Sequence, residues 1–430
     1  MSLIVVKGGT LIDGNGGAPV NNSVVIIQDE KITKVGKLSE TAIPSEAKVI
    51  DASGMTVMPG LIESHSHPLG ERGGQPGIWK YMDNIMNSPL LPYFKAVEVL
   101  RILIRKGITT IRILHPTIPS APELKGEHLV ALRTAVERGY FPSPRVLAAG
   151  CVIPTGGHLQ SMTKPHLLNP GWVGQDGPWE VRKRVRECLL QDVDVIKLLG
   201  PTGGGGIGPD GPKVQGMSYE EVAAAIEEAH WKNIPVSAHA HGGPGLRIAV
   251  EAGVDTLEHG TYLHEELDLL PKMKEKGIIF VPTMGMRFHE GFMKYESALA
   301  GKLEPAQTKK ILDSADSSRK SIQAAHKAGV TIAAGTDLMR WNMNPLAWEI
   351  YIYVREGGLT PMEAIVTATK NAAEACNLPD VGTIEEGKIA DMIVVDGDPL
   401  DDITVLQDEE RIRYVLTDGK IQVYDGRINW

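Results

Sequence analysis

Two histidines one residue apart, His65 and His67, end an apolar run in M-P-G-L-I-E-S-H-S-H-P at Met58–Pro68. Successive side chains of a strand alternate, so on a strand both imidazoles face one point. Paired imidazoles suit a divalent transition metal; two loop histidines without a ligand are the alternative. Four more apolar runs carry residues of ligand type. V-D-V-I-K-L-L contains Lys197, S-A-H-A-H contains His239 and His241, L-E-H-G contains His259, and A-G-T-D contains Asp337. Singly, each has a plain structural reading: His259 as a satisfied core histidine, Asp337 as the cap of a following helix. Five such strand ends together favour metal chemistry.

Lys197 is the most informative. A buried lysine is costly unless paired, and burial favours its neutral amine. A neutral amine can add CO₂ to give a carbamate, whose two oxygens can bridge two cations. An ion pair with a neighbouring carboxylate is the alternative. The carbamate is favoured because four of these histidines and an aspartate are available for two metals. Zn²⁺ is the default ion for a histidine-rich site, although ligand type does not exclude Mn²⁺, Fe²⁺ or Ni²⁺.

These residues need a scaffold. β-Branched runs at Leu3–Val6, Val24–Gln28, Ile32–Val35, Lys48–Asp51 and Met55–Met58 predict an all-β start. After Pro59 short apolar strands alternate with helix-like segments. Strands are expected at Gly60–His67, Thr109–Leu114, Arg145–Ala149, Val193–Leu199, Pro235–Ala240, Thr256–His259, Ile278–Pro282 and Val330–Thr336. Ser218 and Glu221 have capping-box spacing before one of the helices. Eight βα units predict a (β/α)₈ TIM barrel, whose sites lie at the C-terminal ends of the strands. Ala390–Val395, Ile412–Thr417 and Ile421–Tyr424 return to β pattern. Residues 1–58 and 377–430 are therefore expected to form one small β-sandwich domain around a barrel at 59–376. An open doubly wound sheet is the competing architecture. Against it, no dinucleotide turn follows the first barrel strand, and the Gly203–Gly206 run lacks a phosphate-loop ending.

Composition narrows the partners. Of 430 residues, 42% are hydrophobic and 23% charged, as in a soluble globular chain. Lys+Arg 44 against Asp+Glu 53 leaves a net charge of −9, which disfavours a nucleic-acid surface. Cys151, Cys188 and Cys376 are scattered and odd in number, which argues against a disulfide framework and fits a reducing compartment. Neither a signal peptide nor an apolar run of membrane-spanning length is seen, so the cytoplasm is the expected location. A small-molecule substrate, no nucleic-acid or membrane partner, and a homo-oligomer are expected.

The ordered motifs resemble the amidohydrolase superfamily over almost the whole chain. They are P-G-L-I-E-S-H-S-H at Pro59–His67, V-I-K at Val195–Lys197, H-A-H-G at His239–Gly242, E-H-G at Glu258–Gly260, G-T-D at Gly335–Asp337 and G-T-I-E-E-G-K-I-A-D at Gly382–Asp391. P-R-V-L-A-A-G at Pro144–Gly150 and T-G-G-H at Thr155–His158 resemble its imidazolonepropionase-like branch, which contains Xaa-Pro dipeptidases. The resemblance implies a binuclear centre. His65, His67 and Asp337 would hold one ion and His239 and His259 the other, with carboxylated Lys197 and a hydroxide bridging them. Hydroxide would attack an amide carbonyl of a dipeptide or N-acyl amino acid, and Asp337 would pass the proton to the leaving amine. His241 would polarise the carbonyl and His158 would contact the substrate, the alternative for each being a supporting or solvent-facing histidine. Arg287 and Arg340 are candidate anchors for a substrate carboxylate.

The chain departs from the family at Glu63, where Asp is usual, and at Leu114-His115-Pro116, where an acidic group often stands. Hydrolysis of another amide, a cyclic amide, a carbamate or a lactone is the main rival. A scaffold that has lost catalysis is a second, opposed by the complete ligand set. A nicotinamide-dependent oxidoreductase lacks its fingerprint.

Overall fold

The computed structural model describes residues 2–69, 88, 90–115, 127–155, 174–202, 211–337 and 344–429. The chain begins with six strands: β1 (Leu3–Lys7), β2 (Thr10–Leu11), β3 (Ser23–Gln28), β4 (Lys31–Lys37), β5 (Lys48–Asp51) and β6 (Thr56–Pro59). Seven more, β7 (Leu61–Ser66), β8 (Ile108–Ile113), β9 (Arg145–Val152), β10 (Val195–Leu198), β11 (Val236–Ala240), β12 (Thr256–His259) and β13 (Ile279–Val281), pair in chain order, all parallel. The last four are β14 (Met392–Val395), β15 (Ile412–Thr417), β16 (Lys420–Tyr424) and β17 (Arg427–Ile428).

The chain ends build two sheets, ordered β4-β3-β1-β5 and β17-β16-β15-β14-β6-β2. The second mixes both ends, since β14 pairs antiparallel with β6. Val6, Val25 and Ile27 share one apolar cluster with Met392, Val394 and Leu416, so neither end buries its apolar face alone. Arg145, opening β9, ties this unit to the barrel: its guanidinium meets Asp391 at 2.6 Å and also the Asp418 carboxylate. The final Asp of the G-T-I-E-E-G-K-I-A-D motif is thus a partner for a barrel arginine.

The barrel closes differently from the expected eighth strand at Val330–Thr336. Among the described residues only Ile332 there forms a ladder bridge, to Phe280. The segment still joins both edges. Phe280 N donates to Thr331 O and Ala333 N to Phe280 O, both at 2.9 Å, while Asp337 N donates to His65 O at 2.8 Å. A side chain replaces part of the ladder: Glu63 accepts from Thr336 N at 3.0 Å and Thr336 Oγ1 at 2.7 Å. The backbone also passes close to its neighbours. A Cβ on Gly335 would lie 2.8 Å from His65 Cβ, so only glycine fits between β7 and β13.

Helices cover the barrel at Leu91–Arg105, Glu127–Glu137, Pro178–Leu190, Tyr219–His230, Gly243–Ala252, Leu269–Lys276 and Pro305–Ala328. Ser218 and Glu221 form the anticipated capping box. The Gly203–Gly206 run lies outside the described residues. Helices at Pro345–Arg355, Pro361–Thr367 and Lys370–Ala375 were not anticipated. The last carries Ala372, Ala373 and Ala375 against Ile62, Leu147 and Ile279, near the starts of β7, β9 and β13. Small side chains let this helix fill the barrel end opposite the histidines. All three cysteines are buried, and none is joined in a disulfide. No helix of the described residues is long and apolar enough to cross a membrane.

Candidate metal centre

The ligand-type residues converge at the C-terminal ends of the barrel strands. His65 lies in β7 with His67 just beyond it, Lys197 in β10, His239 in β11 with His241 just beyond it, and His259 ends β12. All six are buried. Asp337, at 17% side-chain exposure, is the most open of the set. Its Oδ1 lies 3.0 Å from His67 Nε2 and 3.5 Å from His65 Nε2. Two triplets have ligand atoms within 4.8 Å of one another: His65, His259 and Asp337, and His239, His241 and His259. His259 belongs to both groups, and His241 joins the second.

Backbone strain marks two of these residues and Thr283. His259 has φ 73°, Asp337 φ 54° and Thr283 φ 47°. A β-branched residue in the left-handed region is an outlier that surrounding structure must hold in place. At His259 the turn has a visible effect. Strand alternation would send Glu258 and His259 to opposite faces. Instead Glu258 touches His65, and the His259 ring lies 5.0 Å from the His65 ring.

Four of the five imidazoles are oriented from behind through Nδ1. His65 Nδ1 donates to Glu258 Oε2 at 2.6 Å, and His67 Nδ1 to His115 O at 3.1 Å. His241 Nδ1 meets Thr261 Oγ1 and His259 Nδ1 meets Thr283 Oγ1, both at 2.8 Å. This leaves Nε2 on the site side, the usual arrangement around a metal-ligating histidine.

Glu258 anchors the arrangement. Its Oε1 accepts from Ser237 at 2.7 Å, Thr256 at 2.6 Å and Arg112 Nη2 at 3.1 Å. Arg112 is held by Ser64 O at 2.6 Å and Ala375 O at 2.8 Å. Burial alone would raise the Glu258 carboxyl, but His65, Arg112 and Lys197 outweigh it and hold it well below the usual carboxylate range. Burial, helped by Lys197, lowers His65 to about 4 against the pull of Glu258. Burial beside His239 and His241 lowers His259 as well. Neutral imidazoles keep the lone pairs that metal binding needs. Replacing Glu258 by Gln is expected to weaken metal binding about 10–100-fold, since supporting partners of this kind carry that weight. Competition against a chelator reads it, and unchanged affinity would remove Glu258 from the centre.

Lys197 is the orphan. It is buried, and its Nζ is among the buried side-chain atoms with no hydrogen-bond partner. Burial lowers its amine to about 8, against the opposing pull of Glu258 and Asp337. An unpaired buried ammonium costs several kcal/mol, on the order expected for any isolated buried ion. The donor set, with imidazoles, a carboxylate and an orphaned amine, fits divalent transition metals with a carbamate on Lys197.

Glu63 accepts from His65 N at 3.0 Å as well as from Thr336, tying β7 to the Asp337 segment; burial raises it to about 7. Arg287 is buried. Its Nη1 donates to Thr283 O at 3.0 Å and its Nη2 to Thr261 Oγ1 at 2.8 Å, which places it behind His241. Glu349 accepts from Met284 N at 2.6 Å and from Gly285 N, and so fixes the short helix Gly285–Phe288 that carries Arg287. Burial raises Glu349 to about 8 against those two donors. His158 and Arg340 lie outside the described residues. Sequence reasoning missed Arg112, Thr261, Thr283 and Glu349, and met Glu258 only as a motif letter. For Arg112 and Glu349 the signal was a charged residue within an apolar run.

The amidohydrolase family model matches residues 56–422. The chain belongs to the amidohydrolase family. Ochratoxinase from Aspergillus niger is 32% identical over 97% of this chain and 86% of that protein. The A. niger ochratoxinase crystal structure superposes with a TM-score of 0.82 at 30% identity, covering 98% of this chain and 96% of that one. A Xaa-Pro dipeptidase with methionine bound in its active site gives a TM-score of 0.82 at 29% identity, covering 98% and 99%. A prolidase complexed with N-methylphosphonate-L-proline gives 0.81 at 28%, again covering 98% and 99%. This amidohydrolase is accordingly a hydrolase acting on C–N bonds, with the (β/α)₈ barrel and β-sandwich arrangement read from its sequence.

Proposed function

We propose that this amidohydrolase cleaves the amide C–N bond of a dipeptide or N-acyl amino acid at a binuclear metal site. The observation that carries the reading is the orphaned Lys197 amine, buried near His65, His259, Glu258 and Asp337, beside two ligand triplets that share His259. His65, His67 and Asp337 would hold one divalent ion and His239 and His259 the second, Zn²⁺ being the first choice, with carboxylated Lys197 as a further ligand. Such ions, when bound, bring the pKa of water close to 7 and polarise the amide carbonyl. Asp337, the most open member, takes the proton of the attacking water and delivers it to the departing amine. His241 contacts the carbonyl oxygen. Support for the substrate class comes from similarity to a prolidase complexed with N-methylphosphonate-L-proline. A phosphonate on an amino-acid nitrogen has the tetrahedral shape an amide carbon takes when water adds.

The test is hydrolysis of a panel of Xaa-Pro dipeptides, other dipeptides and N-acyl amino acids by metal-loaded protein, read by amine release. The best member is expected to reach a kcat/KM of about 10⁴ M⁻¹ s⁻¹ or more, within the ordinary enzymatic range. Turnover confined to lactones, carbamates or cyclic amides would sink the substrate class while keeping the hydrolase.

A further inference from the structure

The histidines of the site hand Nδ1 to partners of different chemistry, and that difference decides what Nε2 can do. The Glu258 carboxylate and the His115 carbonyl only accept, so His65 and His67 carry hydrogen on Nδ1 and present bare Nε2 nitrogens. His241 differs. Its Nδ1 meets the Thr261 hydroxyl at 2.8 Å, and a hydroxyl can donate or accept. The same oxygen receives Nη2 of Arg287 at 2.8 Å. A guanidinium offers donors and no acceptor, so the Thr261 hydrogen has no place on Arg287. Among the described partners it goes to His241 Nδ1. The neutral imidazole then carries its own hydrogen on Nε2, facing the site.

We propose that Arg287, acting through Thr261, holds His241 as an Nε2–H donor to the substrate's carbonyl oxygen rather than as a metal ligand. The proposal rests on the amide-hydrolysis reading above and deepens it. Thr261 and Arg287 become positioning residues, and Arg287 holds His241 instead of anchoring a substrate carboxylate.

The surrounding structure keeps this chain rigid. Arg287 Nη1 is fixed on Thr283 O at 3.0 Å, and Glu349 pins the turn that carries it. The Thr261 carbonyl accepts from Ser321 Oγ at 3.0 Å, and Tyr262 N donates to His241 O at 2.8 Å. The His241 ring stacks on His259 at 4.7 Å with planes 17° apart. His239, His241 and His259 crowd closely enough to share an ion, and it is the hydrogen on Nε2 that takes His241 out of that set. A fixed N–H aimed where charge develops stabilises the transition state with no reorganisation during the reaction.

The test compares Thr261→Val, which keeps shape and loses the hydroxyl, with Thr261→Ser, which keeps it, and with Arg287→Met. Metal per chain, kcat and KM are measured separately, and ¹⁵N NMR of histidine-labelled holoenzyme locates the His241 hydrogen. Thr261→Val and Arg287→Met are expected to lower kcat about 10–100-fold with KM within about twofold and metal content unchanged, with Thr261→Ser recovering most of kcat. In the native enzyme the hydrogen is expected on Nε2. Metal lost together with kcat in Thr261→Val overturns the proposal in favour of His241 as a ligand. A raised KM with unchanged kcat in Arg287→Met overturns it in favour of a substrate anchor. A native His241 with its hydrogen on Nδ1 overturns it outright. The NMR reading needs neither a substrate nor a folded variant, so failure of the amide reaction and failure of this assignment are seen separately.

Discussion

Asp337→Asn is expected to retain the fold and lose about 10²–10⁴-fold in kcat, the range that a positioned general acid–base residue contributes. Asparagine tests the chemistry cleanly because it tolerates the left-handed backbone that Asp337 adopts at φ 54°. The amide keeps an oxygen for the His67 and His65 side but can neither accept nor release a proton at neutral pH. Metal content and the melting temperature are measured alongside kcat, so a fall in turnover can be separated from an empty or unfolded site. A variant with more than a tenth of native kcat would show that the proton travels by another route.

Lys197→Ala is expected to lose bound metal and activity together. Nothing else described satisfies the Lys197 Nζ, and a carbamate made there would supply the oxygens two cations need. Metal content equal to the native chain's would sink the carbamate. Lys197→Met sharpens the point, because it keeps the apolar stem and removes the amine. In metal-free protein the folded amine sits at about 8 against 10.5 for a free lysine. The unfolded chain therefore binds more protons between those values, so metal-free stability is expected to rise with pH across that window. Below pH 8 the full cost of the desolvated ammonium is present. Lys197→Met is expected to abolish the slope and to be at least as stable as the native metal-free chain at pH 7. Denaturant titrations of metal-free protein at a series of pH values would detect it, and an unchanged slope would assign the titration elsewhere.

The sheet at the chain ends shows how far local pattern reaches. β-Branched runs and turn residues placed most of its strands within a residue or two, because strand formation there follows alternation and turn chemistry. Near residues 331–337 the pattern misled. The run V-T-I-A-A-G-T reads as a strand, yet Glu63 and His65 take the hydrogen bonds a ladder would use, and Gly335 threads between two neighbours. The alanine-rich helix that fills the barrel end had no signature of its own, since small residues suit many environments.

The ligand types were legible for a physical reason. Each strand writes its contribution locally, as a histidine, lysine or aspartate where an apolar run ends, and a parallel barrel brings those ends to one face. What orients them was not legible. Glu258 meets His65 across 193 positions of chain, and Arg112 meets Glu258 across 146. Thr261 reaches His241 from the turn after β12, and Arg287 backs Thr261 from the short helix Gly285–Phe288. The sequence by itself determined which side chains face the barrel mouth. Only the tertiary structure decided which ring nitrogen each histidine presents, because that depends on whether the group behind it accepts or donates a hydrogen.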